Sequence, residues 1–328
     1  MSIRTLYRRV KNNLFSNDKI NTLYNNSVND YKSSKVNLGQ IQSNLNSLKT
    51  NIKSLAELEF QVFSQFGDDG IIQWLVKKIP SLNKTFIEFG VEDYTEANTR
   101  FLLINNYWSG LIMDGSESNI LKVNNSILSR FYDLQAEQHF ITAENINTII
   151  SNANYFSKEI GLLNVDIDGN DYWVWKSINQ VDPVIVVCEY NALFGFEHAF
   201  TIPYDKNFVR GTNLPFNFYG ASLLSLCDLA EFKGYDFLGC NSAGNNAYFI
   251  KKDYRHYIDI PFTTPEESYL FCIFSELLDA NENPYRGSSK VTSLDGTLVY
   301  DTRLNKIVPF NSAEVINSLH KKNKLTRN

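Results

Sequence analysis

The sequence predicts a doubly wound α/β domain, and three observations carry that expectation. Between about residues 60 and 255, short apolar runs alternate with stretches whose apolar residues recur at helical spacing. Val184–Cys188 is apolar without interruption and Leu162–Val165 nearly so, as expected of parallel strands covered on both faces. The strand candidates end in acids: Glu88, Asp114, Asp166 and Glu189 each stand at or just beyond a carboxyl end. Ligands of open α/β sheets bind beyond those ends.

The elements follow in order. Residues 1–37 are rich in Asn, Ser and Lys and read as a weak helix or a mobile arm. Leu38, Ile41, Leu45, Leu48, Ile52 and Leu55 then form a heptad stripe. Residues 38–58 are therefore either a short coiled coil that pairs two subunits as a homodimer or one amphipathic helix on the same chain. Ser64 or Asp68 would cap a helix that carries Ile71, Ile72, Leu75, Val76 and Ile79 and stops at Pro80. Strands are expected at Thr85–Phe89, Leu111–Met113, His139–Thr142, Leu162–Val165 and Val184–Cys188. A final pair, Tyr235–Gly239 and Ala247–Ile250, is joined by the loop CNSAGNNA. Helices are expected at Glu96–Asn105, Glu117–Leu128, Ala143–Asn154, Asp171–Ile178 and Ala221–Phe232, and another at Ser268–Leu278. The domain layout is a helical or coiled-coil extension over 1–59, the α/β domain over 60–255, and a C-terminal cap over 256–328 with a disordered tail.

Composition narrows the function classes. The chain has 328 residues, is 43% hydrophobic and 20% charged, and carries a formal net charge of −5. An acidic chain has no footprint for nucleic acid. No apolar run approaches the roughly 18 residues of a membrane span. The N-terminus lacks the apolar core of a signal peptide. Cys188, Cys227, Cys240 and Cys272 are scattered in apolar contexts and read as reduced, buried residues. The expected location is the cytoplasm. Arg4, Arg8, Arg9 and Lys11 form either a solvated tail or a contact to the inner face of a membrane.

Three motifs point to chemistry. In FIEFGVEDYTEANT, Glu88 ends a strand and Gly90 follows, the place where a backbone turn approaches a cofactor. Glu92, Asp93 and Glu96 make this turn acidic, which opposes a pyrophosphate and suits the cationic S-adenosylmethionine. In LIMDGS, Asp114 ends the next strand and would hold a ribose diol, with Gly115 and Ser116 behind it; the alternative is an N-cap function for Asp114 or Ser116. The third motif joins VDIDGND to CEYN. Asp166, Asp168, Glu189 and Asn191 on neighbouring strand tips would offer oxygen ligands to Mg²⁺ or Mn²⁺, with Asp168, Glu189 and Asn191 as the metal set. Asp166, Asp168, Glu189 and His198 are the catalytic candidates, His198 as a general base. In the alternative, Asp166 faces the cofactor, Asp171 caps a helix and Glu189 pairs with Arg210. His139 reads as a surface or core histidine.

VDIDGND, FSQFGDDGI and DPVIVVCEYN together resemble the motifs of FkbM-type methyltransferases, over roughly residues 62–191. The chain is more distantly similar to macrocin-type sugar O-methyltransferases, which use a metal held by acids at these two strand tips. The resemblance implies the class I methyltransferase fold, S-adenosylmethionine as cofactor, and O-methylation of a sugar or glycan hydroxyl in polysaccharide biosynthesis. GVEDY replaces the family's usual glycine turn. Two rival readings stay open: a metal-dependent glycosyltransferase using Asp166 and Asp168 as an Asp-x-Asp pair, and a non-catalytic scaffold.

Overall fold

The computed structural model describes residues 33–153, 158–272 and 285–325. Its strands are β1 (Thr85–Phe89), β2 (Ser109–Asp114), β3 (Leu134–Gln138), β4 (Glu159–Val165), β5 (Asp182–Glu189), β6 (Phe200–Thr201), β7 (Tyr235–Cys240), β8 (Asn246–Lys251), β9 (Leu298–Asp301) and β10 (Lys306–Pro309). Seven of them form the main sheet in the order β3-β2-β1-β4-β5-β8-β7. β1 to β5 run parallel, and β8 is antiparallel to both of its neighbours. This is the Rossmann-like arrangement of the class I methyltransferase fold. The order reverses between β1 and β4, so the carboxyl ends of these two strands open a crevice at the switch point.

Alternation along each strand divides the core. Phe86, Ile112, Leu162, Ile185 and Val187 face one layer. Ile87, Phe89, Leu111, Met113, Leu163 and Val165 face the other. A helix over residues 33–47 precedes the domain, and the helices that follow are α1 (Asp68–Lys78), α2 (Arg100–Asn106), α3 (Glu117–Asn124), α4 (Leu128–Phe131), α5 (Ile146–Asn152), α6 (Asp171–Ser177), α7 (Leu223–Phe232), α8 (Pro265–Ser268), α9 (Ser288–Thr292) and α10 (Ser312–Lys321). α1 starts with two acids in its first turn and ends with Lys77 and Lys78, complementing the helix dipole at both ends. Of the two expected caps, Ser64 accepts from the Asp69 N–H at 3.1 Å, although Gly67 holds the N-cap position. The Asp69 carboxylate accepts from the backbone N–H groups of Val62, Phe63 and Ser64 at 2.7–2.8 Å, tying down the loop before the helix.

Several elements differ from expectation. The third strand is Leu134–Gln138, not His139–Thr142. It lies at the sheet edge, pairs only with β2, and so tolerates a polar sequence that hides it. α2 begins at Arg100 rather than Glu96, because the preceding residues form a loop anchored on Glu88. The helix expected at Ser268–Leu278 instead ends at Ser268. It starts at Pro265 behind a Thr264/Glu267 capping box, and Tyr269 and Phe271 beyond it are buried in non-helical backbone; residues 273–284 lie outside the described set. A second sheet, β10-β9-β6, was not legible and joins the C-terminal segment to the loop after β5. Within the last ten or so residues, expected to be disordered, α10 continues to Lys321 and buries Leu319, and Leu325 is buried too; residues 326–328 lie outside the described set. The basic residues Arg4, Arg8, Arg9 and Lys11 lie outside the described residues. The four cysteines are in the thiol form. Among the described residues no helix is long and apolar enough to cross a membrane.

Candidate active site

Two adjoining cavities occupy the crevice. The first, about 170 Å³, lies over the tips of β1, β4 and β5; the second, about 330 Å³, lies over β2 and the segment after β3. Gly90, Glu92 and Asp168 line both. The β1 turn can pass between them only as glycine. Gly90 has φ +69°, and a Cβ there would stand 1.7 Å from the Asp166 carbonyl oxygen.

Glu88 lines the first cavity, but its carboxylate holds the turn together. It accepts from the backbone N–H of Asn98 (2.9 Å) and Thr99 (3.1 Å), from the Thr99 hydroxyl, and from Asn164 Nδ2 (3.1 Å). Burial raises it to about 7. The cofactor contact expected of Glu88 is therefore a scaffolding role in this structure.

Asp114 stands at the tip of β2 in the wall of the second cavity, with Gly115 beside it. Its oxygens accept from the backbone N–H of Glu92 (2.8 Å) and Ser116 (2.7 Å), which couples the β1 and β2 turns. Ser116 caps α3 by accepting from Asn119 N. Phe140, Ile141, Ile167 and Phe208 give this cavity apolar walls. His139, expected elsewhere in the core or on the surface, lines it too, with Nε2 2.7 Å from Glu137 Oε2. Asn170 also lines it; its Nδ2 donates to the Asp205 carbonyl, while its buried Oδ1 has no hydrogen-bond partner among the described residues.

The acid cluster forms at the tips of β4 and β5. One carboxylate oxygen from each of Asp166, Asp168 and Glu189 lies within 4.8 Å of the other two. Asp168 sits in the left-handed region at φ +54°, a conformation that Asp tolerates better than most side chains. Asp171 does not join the cluster. Its carboxylate accepts from the N–H groups of Ile167 (2.8 Å) and Gly169 (3.0 Å) and fixes the turn that carries Asp168. Asp166 and Glu189 are both pushed well above the usual carboxylate range, first by burial and then by the neighbouring carboxylates. Glu189 Oε2 is buried without a hydrogen-bond partner among the described residues.

Arg210 enters from the loop after β6. It pairs with Asp168, its charge also acts on Glu189, the partner that one alternative gave it, and it lies over the rings of Tyr219 (3.9 Å) and Phe216 (4.2 Å). Sequence reasoning also missed Asp68. From the first turn of α1 it accepts from Asn241 Nδ2 (3.1 Å), Asn246 Nδ2 (3.0 Å) and the Tyr248 hydroxyl, and so fastens the β7–β8 loop to the cavity rim. The aspartate pair in FSQFGDDG was legible; a partner more than 170 positions away was not.

Two expected site residues stand apart. Asn191 is buried, donates to the carbonyls of Asn217 (2.8 Å) and Tyr219 (2.9 Å), and accepts from Leu193 N (3.0 Å). Those contacts hold the loop that carries Arg210 and satisfy the amide, so it positions the site rather than ligating a metal. His198 stacks on Phe200 and lies 3.5 Å from Glu314, outside both cavities. It does not reach the cluster as a base, because β6 turns it toward the C-terminal segment.

No family model matches the chain, and no curated protein does. Solved structures similar to it include the N-terminal domain of EvdMO1 in the presence of SAH and D-fucose, at 12% identity and a TM-score of 0.37 over 64% of this chain and 94% of that one. The O-methyltransferase from Bacillus cereus in complex with SAH gives 12% and 0.36 over 66% and 91%. An S-adenosylmethionine-dependent methyltransferase from Clostridium acetobutylicum gives 12% and 0.34 over 56% and 90%. The fold assignment rests on the strand order.

The buried acids give a stability signature. Asp69 and Asp171 are raised to about 6 and Glu88 to about 7, in each case mainly by burial. Their folded values exceed the unfolded ones near ~4. Their contribution to stability is therefore complete below about pH 4 and is lost as pH rises through the 6 to 7 window. Urea unfolding of metal-free protein should show stability declining between about pH 4 and pH 7. A rise over that interval would contradict the burial of these three carboxyls.

Proposed function

We propose that the chain is an S-adenosylmethionine-dependent O-methyltransferase that methylates a hydroxyl of a sugar or glycan. The observation that carries this reading is the junction of the two cavities at Asp168: a cleft with nucleoside-binding features on one side, an acid cluster on the other. The spare hydrogen-bonding capacity of Asp114 suits a ribose diol. The apolar walls suit a purine, and the unpartnered Asn170 Oδ1 suits its amino group. The acidic first cavity suits the cofactor's sulfonium and ammonium charges.

The donors also fit a hard divalent ion. Asp166, Asp168 and Glu189 offer only oxygen, and the buried, unpartnered Glu189 Oε2 is a ligand atom without an occupant of its own. Such an ion would acidify a hydroxyl bound to it. The cofactor supplies an electrophilic methyl group on sulfur. The protein's own task is to align the acceptor oxygen with that methyl and take its proton as the O–C bond forms and the C–S bond breaks. Asp166 and Glu189, both in the wall of the first cavity, are the carboxylates placed to accept that proton. Arg210 holds Asp168 in place. Gln65 on the rim offers an amide to sugar hydroxyls, while Asn245 and Asn246 beside it are held by Asn241 and Asp68.

Seven carboxylates line the first cavity against the single cation Arg210, which opposes the diphosphate of a nucleotide-sugar donor. Thermal unfolding separates the readings. S-adenosylhomocysteine at 100 times its dissociation constant should stabilise the protein by about 2.7 kcal/mol, and UDP- or GDP-sugars should not. Stabilisation by a nucleotide sugar alone would reverse the assignment.

A further inference from the structure

An amphipathic helix on a globular domain buries its apolar side. The helix over residues 33–47 does the reverse. Its buried residues are Gly39, Ser43 and Asn46. Asn46 Nδ2 donates to the Leu58 carbonyl at 2.6 Å, and the Ser43 hydroxyl lies 3.4 Å from Gln73 Oε1. The apolar stripe faces away: Leu38, Ile41, Leu45 and Leu48 are 59, 56, 53 and 78% exposed. At 100° per residue the centres of the two faces lie roughly 150° apart.

The helix cannot roll to bury the stripe. A Cβ on Gly39 would come within 2.4 Å of Val62 and 2.8 Å of Phe101, so the small face is the one fitted to the domain. Ile52 and Leu55, which continue the heptad in sequence, have left the helix and are buried in the domain core. The outward seam is thus confined to residues 38–48, shorter than the 38–58 that the sequence suggested.

We propose that a second copy of this chain covers the stripe, helix against helix across a two-fold axis, making the protein a homodimer. The spacing is the three-four-three alternation of a and d positions, the narrow seam that a like helix fits rather than the broader face that packs on a sheet. No charged residue occurs from Val36 to Leu48; Gln40, Gln42, Asn44 and Ser47 fill the positions between. A seam meant for a different chain gains selectivity from complementary charges, whereas an uncharged one meets its own copy without repulsion. The fixed seat on the domain lowers the ordering cost of association. With only two heptads, the dissociation constant falls in the micromolar range. This inference does not depend on the methyl-transfer reading.

Sedimentation of the full chain from about 1 to about 100 μM tests it. The wild type should pass from monomer to dimer. Ile41→Asp/Leu45→Asp should weaken association at least about 100-fold, since each buried carboxylate would lie in an apolar seam. Gln40→Asp, exposed and off the stripe, should leave it unchanged. All the changed positions are exposed, and an unaltered circular dichroism spectrum would show that the fold is kept. A wild-type chain that stays monomeric over this range, or a dimer indifferent to the double substitution, would overturn the proposal.

Discussion

Asp114→Asn should weaken S-adenosylhomocysteine binding by about 10- to 100-fold while leaving the unliganded protein folded. A hydrogen bond to a charged carboxylate contributes roughly 1.5–3 kcal/mol, and a ribose diol offers two donors to one acid. Asparagine keeps the size of the side chain and one acceptor oxygen. It loses the charge and half of the accepting capacity. Part of that carboxylate already holds the Glu92 and Ser116 N–H groups, so alanine would also loosen the β1 turn and blur the reading. Asparagine gives up one of those two N–H groups where alanine gives up both, so calorimetric titration reads the affinity and thermal unfolding of the unliganded variant reads the cost to the turn. Unchanged affinity would mean that the nucleoside does not sit against β2.

Glu189→Gln should lower Mn²⁺ affinity at least about 10- to 100-fold and leave S-adenosylhomocysteine affinity within about threefold. Glu189 lines the first cavity but not the second, so its substitution separates the acid cluster from the nucleoside cleft. The same change should raise stability in the absence of metal, because it removes one member of a buried carboxylate group whose charges repel. Titration of Mn²⁺ followed by paramagnetic resonance reads the first effect and urea unfolding the second. Wild-type Mn²⁺ binding in the variant would show that these carboxylates hold no metal and leave them only the proton-accepting role.

Much of the site was legible because its signals are local. A carboxylate at the end of an apolar run marks a strand tip, so Asp114, Asp166, Asp168 and Glu189, with the turn glycine Gly90, could be named from their own segments. The role of Glu88 was not legible. An acid at a strand end can face a ligand or gather loop N–H groups, and only the path of residues 92–99 decides between them. Arg210 and Asp68 were missed as site residues because tertiary folding brings them to the cavity across long separations. The heptad stripe was visible as a pattern, but a helix pattern says nothing about which side touches the domain. Gly39, Ser43 and Asn46 settle that by being small or hydrogen-bonded where the contact is tight. Strand β3 was displaced for the opposite reason: an edge strand with polar residues has weak periodicity, and the apolar residues after it line a cavity instead.

In the proposed function, one crevice holds a cationic nucleoside cofactor beside an acid cluster that takes a metal. Calorimetric titration of S-adenosylhomocysteine into metal-free protein, followed by Mn²⁺ into the resulting complex, tests both halves in one sample. Saturable binding of one S-adenosylhomocysteine per chain is expected, and then a second heat from the metal. Absence of S-adenosylhomocysteine binding before and after Mn²⁺ would contradict it.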